Sequence, residues 1–283
     1  MARPPVSLHA LAAARGDVPA DILLKGGRVL SPTTREWVTT DLAIADGVVV
    51  GWGERDAHEI INVDGASLVA GFVDAHMHLE SSKLWVDEYV KAVLPNGTTA
   101  VAADPHEIAN VAGLEGIRAL VDAAEKMPFT FGVAASSCVP ASPFESAGAA
   151  FSAADVKTII DELGAIGVAE VMNYPAVING DPMFRDIIAS AGWRKVDGHA
   201  PGLRGRALDA YLAAGIESDH ECFALDEAHE KRQKGMWVFL RQGSVCQDLL
   251  ELLPTVLSHG PMCTAFCSDD REPDLLRDEG HIN

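Results

Sequence analysis

The stretch "GFVDAHMHLESS", Gly71–Ser82, sets two histidines one residue apart at the end of an apolar run. Residues i and i+2 of a β-strand point to the same face. His76 and His78 should therefore leave the strand side by side, just where it ends. Alone, such a pair is more often packing than a metal site. Its meaning depends on what the other strand ends bring to it.

Downstream the same rhythm repeats. Short apolar runs read as strands: "GFVDAHMH", "TTAVAADP", "TFGVAAS", "GVAEVMN", "KVDGHAP", "GIESDHE", "MWVFLRQGS" and "CTAFCSDD". Segments between them, such as "EIANVAGLEGIRALVDAAEK" and "SAADVKTIIDELGAI", carry apolar residues at helical spacing, and Ser152 is placed to cap the latter. Eight strands alternating with helices predict an α/β fold, a TIM-type (β/α)8 barrel over residues 69–283. The eighth strand ends near Asp270 and the chain at Asn283, so the barrel is expected to be incomplete at its C-terminal end, with one apolar flank bare. Residues 21–68 ("DILLKGGRVL", "DLAIADGVVVGWG", "EIINVDGASLVAG") read as strands and turns, part of a small N-terminal β-sandwich domain. Residues 1–20 read as an N-terminal extension.

Composition narrows the function classes. A 283-residue chain that is 48% apolar and 22% charged is a globular protein with a sizeable core. A net charge of −19 argues against a nucleic-acid partner. No apolar run approaches the ~20 residues that cross a bilayer, and the N-terminus lacks a signal-peptide layout. Five scattered cysteines read as reduced thiols rather than a disulfide framework. The expected compartment is the cytoplasm and the expected assembly a homo-oligomer.

In such a barrel the chemistry sits at the C-terminal ends of the strands. There the sequence places His76 and His78, then Asp104 with His106 and Glu107, Glu170, His199, His220 and Asp269. Imidazole nitrogens with carboxylate oxygens suit zinc, iron or manganese. His76, His78 and Asp269 could share one ion and His199 and His220 a second, with Glu170 bridging through its two oxygens. Two such ions activate water. Singly, Glu170 could be a solvated carboxylate and Asp269 a helix cap; jointly, ligand-type residues at five strand ends predict a metal site. The "SSCVPAS" segment, Ser136–Ser142, has no general base beside it in sequence and reads as a substrate-lining loop. His9, His58, His229, His259 and His281 read as surface or packing residues.

"VAGFVDAHMHLESS", "DPHEIANV", "AEVMNYPAVI", "DGHAPGL", "AAGIESDHEC" and "FCSDDREPDLL" together resemble the bacterial adenine deaminases of the amidohydrolase superfamily, from about Asp21 to the last residue. The resemblance implies a TIM barrel with two divalent metal ions, Mn2+ or Fe2+ with Zn2+ as an alternative. It implies hydrolysis of adenine to hypoxanthine and ammonia, with the ligand assignment just given. Strand four offers no lysine, so Glu170 takes the place of the carboxylated lysine of other two-metal relatives. By the same resemblance Asp269 moves the proton, Asp104, His106 and Glu107 are candidates for protonating the purine ring, and Ser81, Ser82 and Ser136 for contacting it. Members of that family continue beyond this barrel, so the C-terminal half is expected to be lacking. The alternatives are a cyclic-amide hydrolase of hydantoinase or dihydroorotase type, and an inactive metal-binding remnant.

Overall fold

The structure, a computed structural model, describes residues 5–283. The chain forms two compact units, Met1–Ala70 and Gly71–Asn283. In the first, helix α1 (Leu8–Arg15) lies within the segment expected as an extension. Ser7 caps it by accepting from the Ala10 amide, and Gly16 closes it in the left-handed region. Strand β1 (Ala20–Ser31) is the centre of a small sheet. It pairs antiparallel with β2 (Glu36–Ala45), and β2 pairs antiparallel with β3 (Val48–Trp52). On its other side β1 runs parallel to β4 (Ala57–Asn62) and β5 (Ser67–Leu68). Alanines and Leu23 make up the core of this unit.

The second unit carries eight parallel strands: β6 (Phe72–Met77), β7 (Thr98–Ala103), β8 (Thr130–Val133), β9 (Gly167–Val171), β10 (Lys195–Gly198), β11 (Ser218–Asp219), β12 (Trp237–Arg241) and β13 (Thr264–Cys267). Ladders join β6–β7–β8, β9–β10 and β11–β12–β13. An Ala135–Val168 bridge links β8 to β9, and the Glu217 amide donates to Val196 O at 3.0 Å to link β10 to β11. The Asp269 amide donates to His76 O at 3.0 Å, and the His78 amide to Asp269 O at 3.2 Å. These last bonds return the final strand to the first, so the ring closes and leaves no open edge.

Around it run α2 (Val86–Val93), α3 (His106–Ala124), α4 (Ala153–Glu162), α5 (Tyr174–Ile178), α6 (Pro182–Ser190), α7 (Gly205–Ala213), α8 (Leu225–Gln233), α9 (Leu249–His259) and α10 (Pro273–Asp278). Ser152 and Asp155 form a reciprocal capping box on α4. α3 is kinked at Gly113, whose φ of 62° and ψ of −150° suit glycine alone. Strand β9 is buried along its whole length, as a parallel strand covered on both faces should be. Ile117, Leu120, Val156, Ile159 and Leu208 fill the space between helices and strands, each contributing about 1.5–3 kcal/mol by burial.

Candidate metal centre

Each strand end delivers its side chain by local rules. Pleat alternation sends His76 and His78 to one face, and both are buried. Pro105 cannot continue the β7 ladder and instead starts α3, which leaves Asp104 and His106 at the turn. At Gly198 any Cβ would meet Ser218 O at 2.3 Å, so only glycine lets β10 and β11 approach closely enough to present His199 beside His220. Asp269 sits at φ 56°, a left-handed conformation that an aspartate tolerates and that occurs at functional turns.

The imidazoles face each other with lone pairs. His76 Nδ1 is 2.9 Å from Asp197 Oδ2, and His78 Nδ1 is 2.9 Å from Asp104 O. A carbonyl only accepts, so His78 carries its proton on Nδ1; the Asp197 carboxylate assigns His76 likewise. Both Nε2 atoms then point their free pairs at each other across 3.1 Å. Asp269 Oδ1 joins them at 3.2 Å from His78 Nε2 and 3.9 Å from His76 Nε2. That arrangement is repulsive unless a cation or proton stands between the nitrogens. His220 is buried with neither ring nitrogen hydrogen-bonded, and its ring stacks on His76 at 3.8 Å. Glu170 lies between the two halves. Its Oε1 is 3.4 Å from His78 Nε2, and its Oε2 is 3.3 Å from His220 Nε2 and 2.5 Å from His199 Nδ1. Orphaned nitrogens, mutually facing lone pairs and a central carboxylate make a donor set that could hold metal ions.

The charge balance points the same way. Asp104, Glu107, Glu170, Asp197, Glu221 and Asp269 crowd one mouth, and buried anions require counter-charge. Burial would raise the Glu170 carboxyl, but the hydrogen bond with His199 and the neighbouring His220 and His76 hold it well below the usual range. Asp269 is likewise held down, against burial, by the imidazoles of His78, His220 and His76 beside it. The histidines move in the opposite sense. Against burial, His106 is pushed up to about 9 by Asp104, and His220 to about 9 by Glu170. A proton and a metal ion compete for the same lone pairs.

The structure thus brings His76, His78, Glu170, His199, His220 and Asp269 together, with Asp104, His106 and Glu107 at their margin. Ser136 donates to Asp104 Oδ1 at 3.0 Å and belongs to this group. Ser81 donates to Asp270. Ser82 does not face the cluster: its hydroxyl donates to Leu79 O at 2.6 Å and accepts from the Leu84 amide, so its proton is spent in its own turn. The Cys138 thiol is raised to about 11 by burial, which leaves it protonated and no nucleophile. Sequence reading passed over Asp197, Glu80 and Arg241. Asp197 lies two residues before His199, the same spacing that exposed His76 and His78. Glu80, whose carboxyl burial and Glu107 push up to about 7, lies inside the opening motif. Arg241 ends the apolar run "WVFLR" and pairs with Glu221, Asp248 and Asp269.

The sequence profile of the amidohydrolase family matches residues 67–264, the span that supplies all but the last of these ligand-type side chains. The chain belongs to the amidohydrolase family. It is 44% identical over 273 residues to an adenine deaminase of Nitratidesulfovibrio vulgaris (strain Hildenborough), covering 95% of this chain and 47% of the relative. To the adenine deaminase of Syntrophobacter fumaroxidans it is 46% identical over 272 residues, covering 96% and 47%. The chain therefore spans about half the length of the curated relatives it matches. Among solved structures, β-aspartyl dipeptidase from Fervidobacterium islandicum AW-1 superposes with a TM-score of 0.60 at 14% identity, over 88% of this chain and 73% of that one. The ochratoxinase of A. niger gives 0.56 at 16% identity, over 93% and 81%. At these identities they show the shared α/β metallohydrolase fold alone. Among the described residues no helix is long and apolar enough to cross a membrane.

Proposed function

We propose that this mouth holds two divalent cations and hydrolyses adenine to hypoxanthine and ammonia. The ring of eight parallel strands is read as a (β/α)8 barrel. His76, His78 and Asp269 would hold one cation, His199 and His220 the other, with Glu170 touching both. The observation that carries the reading is the pair of Nε2 lone pairs opposed at 3.1 Å beside an ionised Asp269 and an orphaned His220. Mn2+ or Fe2+ suits this nitrogen–oxygen set, with Zn2+ as the alternative. Two cations so placed lower the pKa of a water and give a nucleophile at neutral pH.

The chain's own residues do the rest. Asp269, ionised, accepts the proton of the attacking water and returns it to the leaving amine. His106 carries a proton at neutral pH because Asp104 holds its pKa near 9, which makes it the favoured donor to a ring nitrogen, with Asp104 orienting it. Ser136 in turn fixes the other oxygen of Asp104. The substrate is drawn from the relatives named adenine deaminase at 44–46% identity. All five cysteines are unpaired, in keeping with a reducing cytoplasm.

The test is ammonia release from adenine by Mn2+-loaded protein, with hydantoin and dihydroorotate as competing substrates. Turnover of adenine, abolished by His78→Ala in a folded variant, supports the reading. Turnover of the cyclic amides instead, or metal uptake with no ammonia, would replace it with one of the two alternatives.

A further inference from the structure

Lys231, on α8, lies outside the donor set yet reaches its supports. Its side chain is 0% exposed, as is that of Asp219. The ammonium donates to Asp219 Oδ2 at 2.9 Å, to Glu227 Oε1 at 2.6 Å and to the Ala200 carbonyl at 2.7 Å. An ammonium has three N–H groups, so each donor is used. The acceptors are themselves fastened to the strand ends. Asp219 Oδ1 accepts from the Ala200 amide at 2.7 Å, and Glu227 Oε1 from the Gly202 amide at 2.8 Å. Ala200 immediately follows His199, and Asp219 immediately precedes His220. One buried cation therefore ties the end of β10 to the end of β11 at the residues adjoining the two histidines. Burial would lower the ammonium's pKa, but the charge of Asp219 leads the groups that hold it above its ordinary value.

We propose that Lys231 is a positioning residue for the cation of His199 and His220. Its clamp on Asp219 and the Ala200 backbone sets the separation of those two imidazoles. His76 and His78 have orienting partners of their own, Asp197 and the Asp104 carbonyl, which Lys231 does not touch. The inference rests on the two-cation reading above. Loss of a group that orients a ligand typically costs about 10–100-fold in metal affinity, and here the loss should fall on one cation of the pair. A lysine that merely docked α8 would weaken both sites alike or neither.

The experiment is Mn2+ titration of the full chain against a competing chelator, followed by electron paramagnetic resonance, on wild type, Lys231→Met and Asp219→Asn. Asp219→Asn keeps an acceptor for the Ala200 amide but removes the charge facing Lys231, and so tests the clamp if Lys231→Met does not fold. Expected is about 10–100-fold weaker retention of one Mn2+ with the other unchanged. The spectrum of a spin-coupled pair should give way to that of an isolated ion. Equal weakening of both ions, wild-type retention of both in either folded variant, or failure of both variants to fold would overturn the assignment. Wild type that takes up fewer than two Mn2+ would instead overturn the two-cation reading beneath it.

Discussion

Replacing Arg241 by Met keeps most of the side-chain volume and removes a buried guanidinium from three carboxylates. Asp248 Oδ2 loses bonds from Nε at 3.1 Å and Nη2 at 2.8 Å, Asp269 Oδ2 loses one at 2.8 Å, and Glu221 loses its contact with Nη1. Removing one partner of a buried ion pair costs about 3–5 kcal/mol, because the remaining charge stays buried without compensation. At about 2–4 °C per kcal/mol for a domain of this size, metal-free Arg241→Met should melt about 6–20 °C below wild type. Saturating Mn2+ should return part of that loss, since Asp269 regains a cationic neighbour and binding to the folded state alone stabilises it. Thermal unfolding with and without Mn2+ reads both effects. A metal-free midpoint within about 2 °C of wild type would refute the reasoning, because less than about 1 kcal/mol would then depend on the guanidinium.

Two further outcomes follow from buried imidazoles. In metal-free protein, burial lowers His106 and His220, but Asp104 and Glu170 respectively overcome it and raise both from 6.5 to about 9. A folded-state value above the unfolded one gives stability that is complete below about pH 6.5 and is lost as pH rises through about 9. Metal-free melting temperature should fall across that window and the fall should shrink with Mn2+; a rise with pH would contradict it. The His281 side chain is fully buried, with Asp74 and Thr98 at 2.9 Å and Tyr89 at 3.1 Å. His281→Ala should cost about 1–3 kcal/mol through the polar groups it strands, and an unchanged melting temperature would show the contacts to be idle.

The eight strand segments were legible as short apolar runs between helical stretches, and the ligand-type residues because a histidine or carboxylate ends most of those runs while pleat parity says which ones share a face. The parity that exposed His76 and His78 would also have exposed Asp197. Other features were not legible. The α8 text "LDEAHEKRQ" reads as a solvated helix, and nothing in its spacing says that Lys231 is sealed beneath it; that burial is set by Asp219 and Ala200, which are distant in sequence. β11 has only two residues, because the backbone after Asp219 turns to present His220 rather than extending the ladder. The long reading over residues 107–126 contained no sign that Gly113 breaks the helix with a positive φ. The resemblance named Ser82 as a contact to substrate, but its hydroxyl, in a tight turn, bonds to its own backbone. Residues 8–15 form a helix despite the weak apolar pattern of that segment, held by a serine cap and a closing glycine.

The most direct measurement is an anomalous difference map from crystals of the full chain loaded with Mn2+. Two peaks are expected at the ring's mouth. One should lie among His76 Nε2, His78 Nε2 and Asp269, the other between His199 and His220, with a Glu170 oxygen on each. An empty mouth, or Mn2+ bound only away from these six side chains, would contradict the metal centre and everything built on it.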